Sequence, residues 1–145
     1  MSLSIINRSK TLTLHGVAGE VLNENFAGTG RQLMDELWKT LISRNLSNKG
    51  INHWVYEKDQ VLFTGVELLN PLPTVAGLET KFVKLTKYAS WKHVGPYYRL
   101  KAAYAAMKSE LKAMEINYHY PLIEIYGHWN EDESKLETEI LFSLE

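Results

Sequence analysis

Glu124 is the residue whose surroundings demand the most chemistry of it. It sits in the middle of Tyr118-His119-Tyr120-Pro121-Leu122-Ile123-Glu124-Ile125-Tyr126-Gly127-His128-Trp129, a run of branched and aromatic residues that reads as a β-strand. An ionised carboxylate taken out of water must pair, accept hydrogen bonds or take up a proton. Between Leu122 and Tyr126 on one strand face, Glu124 needs such a partner, and a cationic or hydrogen-bonding ligand is a candidate. Side chains alternate along a strand, so Ile123 and Ile125 share one face and suit packing against a helix. Leu122, Glu124, Tyr126 and His128 share the other, which puts Glu124 on the side away from the helix. Elsewhere Trp54 and Tyr56 share a strand face, and Tyr88 and Ser90 alternate with Ala89, Trp91 and His93. An aromatic wall with one or two polar anchors is the usual make-up of a small-molecule pocket.

Other chemistries find less footing. His15, His53, His93, His119 and His128 show no H-x-x-x-H or H-E-x-x-H spacing, so no metal site is expected. No histidine stands out as a haem ligand, and no cofactor is expected. His93, just before Gly95-Pro96, is read first as a turn residue bonding to backbone. Ala27-Gly28-Thr29-Gly30-Arg31 lacks the frame of a phosphate-binding loop, and Ser90 and Ser109 lack a nucleophile elbow. Cysteine is absent, which excludes disulfides, thiolate metal sites and a cysteine nucleophile, and which fits a reducing cytoplasm.

The elements that would position Glu124 follow from periodicity. Thr29-Gly30-Arg31-Gln32 has the form of a capping box, and Leu33, Met34, Leu37, Trp38, Leu41 and Ile42 then make one helical stripe running to about Asn45. A second helix opens at Gly95-Pro96, with Tyr97, Leu100, Tyr104, Met107, Leu111 and Met114 as its stripe. Tyr97 and Tyr104 on that stripe are predicted to be core. β-like segments cover Lys10–Val21, His53–Lys58 and Val61–Leu69 in the first half, with a tight turn at Asp59-Gln60. In the second half they cover Lys81–His93, Leu122–Trp129 and Leu136–Leu144, with Pro71-Leu72-Pro73 near the seam. The order is β-α-β-β twice, which predicts an α+β fold of antiparallel sheets with one helix per half. One domain over 1–145 is expected, its halves at about 8–70 and about 80–145.

A net charge of −1, from 16 basic and 17 acidic residues, gives no pull toward nucleic acid or anionic membrane. No signal peptide or membrane span is read, and Met1-Ser2-Leu3 is set aside as a candidate cloning remnant.

Three places in the chain resemble the GyrI-like small-molecule-binding family, which includes effector-binding domains of AraC-type and multidrug-sensing MerR-type regulators and a stand-alone gyrase inhibitor. Tyr88-Ala89-Ser90-Trp91-Lys92-His93-Val94-Gly95-Pro96-Tyr97 is similar to the family's aromatic strand entering His-x-Gly-Pro-Tyr. Pro121-Leu122-Ile123-Glu124-Ile125-Tyr126 is similar to its Pro-x-x-Glu-x-Tyr strand, and Thr138-Glu139-Ile140-Leu141-Phe142 to its closing strand. The chain departs from the family where Gly127-His128-Trp129-Asn130-Glu131 replaces an Asp-Pro, and where Phe142-Ser143-Leu144 lacks a proline. The Trp129 loop is therefore expected to cap the cleft differently.

The resemblance implies a pseudo-two-fold fold with a ligand cleft between halves and Glu124 as its acidic anchor. Tyr88, Tyr126, Trp54, Tyr56, Trp91, His93 and Trp129 are the expected companions. The function so implied is the binding of amphipathic or aromatic compounds, cations among them, as in drug-sensing regulators. No helix-turn-helix is left over in 145 residues, so direct DNA contact is not expected, and regulation would need a protein partner such as gyrase or a separate regulator. The alternative is a detoxifying hydrolase of cyclopropane-bearing genotoxic compounds. There Glu124 would be the general base, Tyr126 and Tyr88 would hold the substrate carbonyl, and Trp54 and Trp91 would press the substrate flat.

Overall fold

Asn25 rather than Thr29 starts the first helix. Its Oδ1 accepts from the Gly28 amide at 3.1 Å, satisfying a first-turn donor, and α1 runs Phe26–Ser43. Leu33, Leu37 and Leu41 bury the inner stripe, while Ile42 stays exposed. The computed structural model describes residues 3–70 and 72–144. Pro71 of the expected seam lies outside the described residues, as do Met1 and Ser2.

Among the described residues, eight strands form one antiparallel sheet: β1 (Leu3–Ile6), β2 (Lys10–Glu20), β3 (His53–Glu57), β4 (Val61–Val66), β5 (Glu79–Leu85), β6 (Tyr88–Val94), β7 (His119–Tyr126) and β8 (Glu137–Ser143). The predicted segment Lys81–His93 is in fact two strands, β5 and β6, broken at Thr86-Lys87. The β3–β4 hairpin turns where expected, with Asp59 and Gln60 both at positive φ. The second helix, α2 (Leu100–Ala113), follows a 3₁₀ turn, Tyr97–Arg99, after Pro96.

The strand order is β1-β6-β8-β7-β3-β4-β2-β5, which reads symmetrically about the β7–β3 pair. Each half contributes three neighbouring strands, β3-β4-β2 or β6-β8-β7, and the halves meet in one sheet rather than two. The leading strands are exchanged: β1 pairs with β6 of the second half, and β5 pairs with β2 of the first. Six steps across a flat sheet span roughly 29 Å, whereas the four peptide steps from Ile6 to Lys10 reach only about 14 Å. The same mismatch holds for the short link from β5 to β6. The sheet must curl until its two ends approach.

Curling gives the sheet an inside. Leu14, Val55, Phe63, Leu85, Ile123 and Leu141 from both halves pack together there. The other face carries the helices, α1 over Leu62 and Val66 and α2 over Ile140 and Phe142. Among the described residues no helix is long and apolar enough to cross a membrane.

Candidate functional site

The strand alternation read from the sequence holds, but the facing is reversed. Ile123 is fully buried inside the curled sheet, packed with Val55 and Leu141. Glu124 therefore points to the helix-bearing side, opposite the expectation. An apolar face can be covered by a curled sheet as well as by a helix, and alternation alone does not distinguish the two.

On that side the two helices stand apart, and the floor between them is the central β3–β7 pair, in which Trp54 and Glu124 are direct neighbours. The result is a cleft of about 1040 Å³, at the upper end of the usual range for small-molecule sites. Its walls are Phe26 and Met34 of α1, Leu100 and Tyr104 of α2, and Tyr97 before α2. Trp54, Tyr56, Leu122, Glu124 and Tyr126 make the floor, and Trp129, 72% exposed, stands at the edge.

Glu124 is 4% exposed and accepts three tyrosine hydroxyls from three different elements. Tyr56 of β3 donates to Oε1 at 2.9 Å, and Tyr126, two residues along the same strand, donates to the same oxygen. Tyr104 of α2 donates to Oε2 at 2.5 Å. Among the described residues no basic side chain forms an ion pair with Glu124. Burial raises its carboxyl above the ordinary range, while the three hydroxyls pull the other way by stabilising the anion. The tyrosines are pushed up as well, by burial first and then by the neighbouring carboxylate, so they remain protonated donors.

The rings brace one another. Tyr126 meets Trp54 edge-on at 5.4 Å and Tyr97 at 5.4 Å, and Phe26 lies 5.7 Å from Tyr56. Trp54 rests on Gly30 of α1, where no Cβ intervenes. Asn52 fixes the rim by accepting the Trp38 indole N–H at 2.7 Å through its side chain and the Tyr126 amide through its carbonyl.

Of the expected companions, Trp54, Tyr56, Tyr126 and Trp129 line this cleft with Glu124. Three do not. Tyr88 packs inside the curled sheet with Leu12 and Leu141, because its strand parity puts it on the face opposite Glu124. Trp91 has the right parity but packs against the cluster beneath α2, two strands beyond the cleft floor. His93 Nε2 lies 3.1 Å from the Pro96 carbonyl, holding the turn into α2. Conversely, Tyr97 and Tyr104, predicted to be core, line the cleft, and Tyr104 reaches the carboxylate. The available signal was a polar-tipped aromatic on a helix stripe with a strand carboxylate needing donors. Among the described residues, no group of three or more His, Asp and Glu side chains is placed to hold a metal ion.

The fold is the GyrI-like one that the resemblance implies. The C-terminal domain of EcmrR matches it with a TM-score of 0.73 at 16% identity, over 99% of this chain and 96% of that one. In a complex of EcmrR with DNA the TM-score is again 0.73, at 14% identity, and all of this chain spans 58% of the EcmrR chain. SAV2435, in a structure bound to tetraphenylphosphonium, matches with a TM-score of 0.67 at 16% identity, over 100% of this chain and 94% of that one. A hydrolase from Listeria innocua matches with a TM-score of 0.56 at 12% identity, over 99% and 92% of the two chains. At such identities the likeness is one of fold. No family model matches the chain, and no curated protein matches it.

Proposed function

We propose that this chain is a ligand-binding domain of the GyrI-like family that takes amphipathic or aromatic cations into its cleft, with Glu124 as the charged anchor. One observation carries the reading: a buried carboxylate on the floor of an aromatic cleft, hydrogen-bonded three times yet paired with no basic side chain among the described residues. Hydroxyl donors occupy lone pairs, but they leave the negative charge without a counter-charge in a poorly hydrated place. A lipophilic cation supplies that charge and gains contact with ring faces in exchange for its lost hydration. SAV2435, which shares the fold, is seen bound to a cation of this kind. We place the domain in the cytoplasm and expect any control of transcription or gyrase to involve a protein partner.

A hydrolytic role for Glu124 draws less support from the geometry. Both carboxylate oxygens already accept tyrosine hydroxyls, so a water to be activated must compete for them. Tyr88, the second proposed carbonyl donor, is on the other face of the sheet.

The test is the pH dependence of tetraphenylphosphonium binding, followed calorimetrically from about pH 8 to about pH 5. The cation is attracted by ionised Glu124, whose pKa burial raises. Affinity is then full above that raised pKa and falls as pH drops through it, levelling off at the weaker affinity of the neutral carboxyl. The decline begins at higher pH than an exposed carboxylate would allow. Affinity that stays flat across this range removes Glu124 as the anchor.

A further inference from the structure

We infer that the cleft selects bipolar ligands: an aromatic body whose cationic end goes to Glu124 and whose anionic group, a carboxylate, sulfonate or phosphate, stays at the mouth between Arg31 and Lys101. The inference rests on the cation-binding reading above and names the ligand class it leaves open.

The two helices carry their buried residues at the same spacing, Gly30, Leu33, Leu37 and Leu41 on α1 against Leu100, Ala103, Met107 and Leu111 on α2. Arg31 and Lys101 each follow the first residue of that set, so they hold equivalent positions on the helices flanking the cleft. Both are exposed and both line it. Neither takes part in an ion pair among the described residues, and neither helix has an acidic residue in its first turn. The acidic side chains at the same rim are Glu24 and Glu57, and Glu57 is engaged by Lys81 at 2.8 Å. By charge count, Glu24 is thus left against two cations among the described lining residues. The mouth is net positive above a negative floor.

A ligand that is only cationic is drawn by the floor and opposed by the mouth. One carrying an anionic group at its far end satisfies both, and an Arg guanidinium offers paired donors suited to a carboxylate or phosphate. Because Arg31 and Lys101 are exposed, each contributes modestly. Their effect is discrimination among ligands rather than the bulk of affinity.

Carboxybutyl-triphenylphosphonium and its methyl ester share one aromatic cation and differ in one anionic charge. Calorimetric titration at low ionic strength is expected to show the acid binding roughly fivefold tighter than the ester. R31Q/K101Q brings the ratio of the two dissociation constants to about one, and molar salt shrinks it in the wild type by screening. E124Q weakens both ligands. An ester that binds as tightly as the acid, or a preference that survives R31Q/K101Q, overturns the inference while leaving cation binding intact. If neither ligand binds, the cation-binding reading falls and takes the inference with it.

Discussion

Replacing Glu124 with glutamine is expected to weaken tetraphenylphosphonium binding about 30-fold, a loss on the order of 2 kcal/mol. Glutamine keeps the shape and can still bond the hydroxyls of Tyr56, Tyr104 and Tyr126, so the cleft walls stay in place. What is removed is the charge. Stability should move the other way. Burial holds the folded-state pKa of Glu124 above its unfolded value. The fold therefore favours the neutral form, and the stability this group contributes is complete below the unfolded pKa and lost as pH rises through the folded one. A permanently neutral glutamine escapes that loss, and the Tm of E124Q at neutral pH should not fall below that of the wild type. A variant that binds normally but melts early would assign Glu124 a structural role instead.

Gly30→Ala is expected to destabilise the fold by about 1–2 kcal/mol, or roughly 5 °C in Tm, and to weaken tetraphenylphosphonium about tenfold. A Cβ built on Gly30 lies 2.1 Å from Trp54 Cη2 and 2.3 Å from Cζ3, well inside van der Waals contact. Helix propensity favours alanine by about 1 kcal/mol, which offsets part of the clash. The rest is relieved by α1 lifting or by the indole moving toward Tyr126, and either movement reshapes the cleft. Combined with Trp54→Leu, the cost of Gly30→Ala should largely vanish, since paired residues couple. Additive melting losses in the double variant would mean that the glycine does not seat the tryptophan.

Much of the positioning is legible in the residues themselves. The α1 stripe, the Asp59-Gln60 turn and a strand with Glu124 at its centre all follow from local periodicity and turn chemistry. Which side of β7 carries the helices does not, because both faces are covered, one by α2 and the other by the curl of the sheet. That curl depends on exchanged pairings between residues far apart in sequence, such as Leu3 with Trp91 and Leu12 with Val83. Tyr88 and Tyr104 change places for this reason. The first has a strand neighbourhood that looks like a pocket wall, and the second a helix stripe that looks like core. Only the carboxylate's need for donors could have singled out Tyr104.

The most direct measurement compares tetraphenylphosphonium with tetraphenylborate, two ions of nearly the same size and shape with opposite charge. Titrated separately into the protein at neutral pH, the phosphonium should bind at least about 100-fold more tightly, since Glu124 attracts one and repels the other at the same floor. Equal affinities, or tighter binding of the borate, would mean that this cleft reads aromatic bulk alone and that its buried acid is not there to meet a cation.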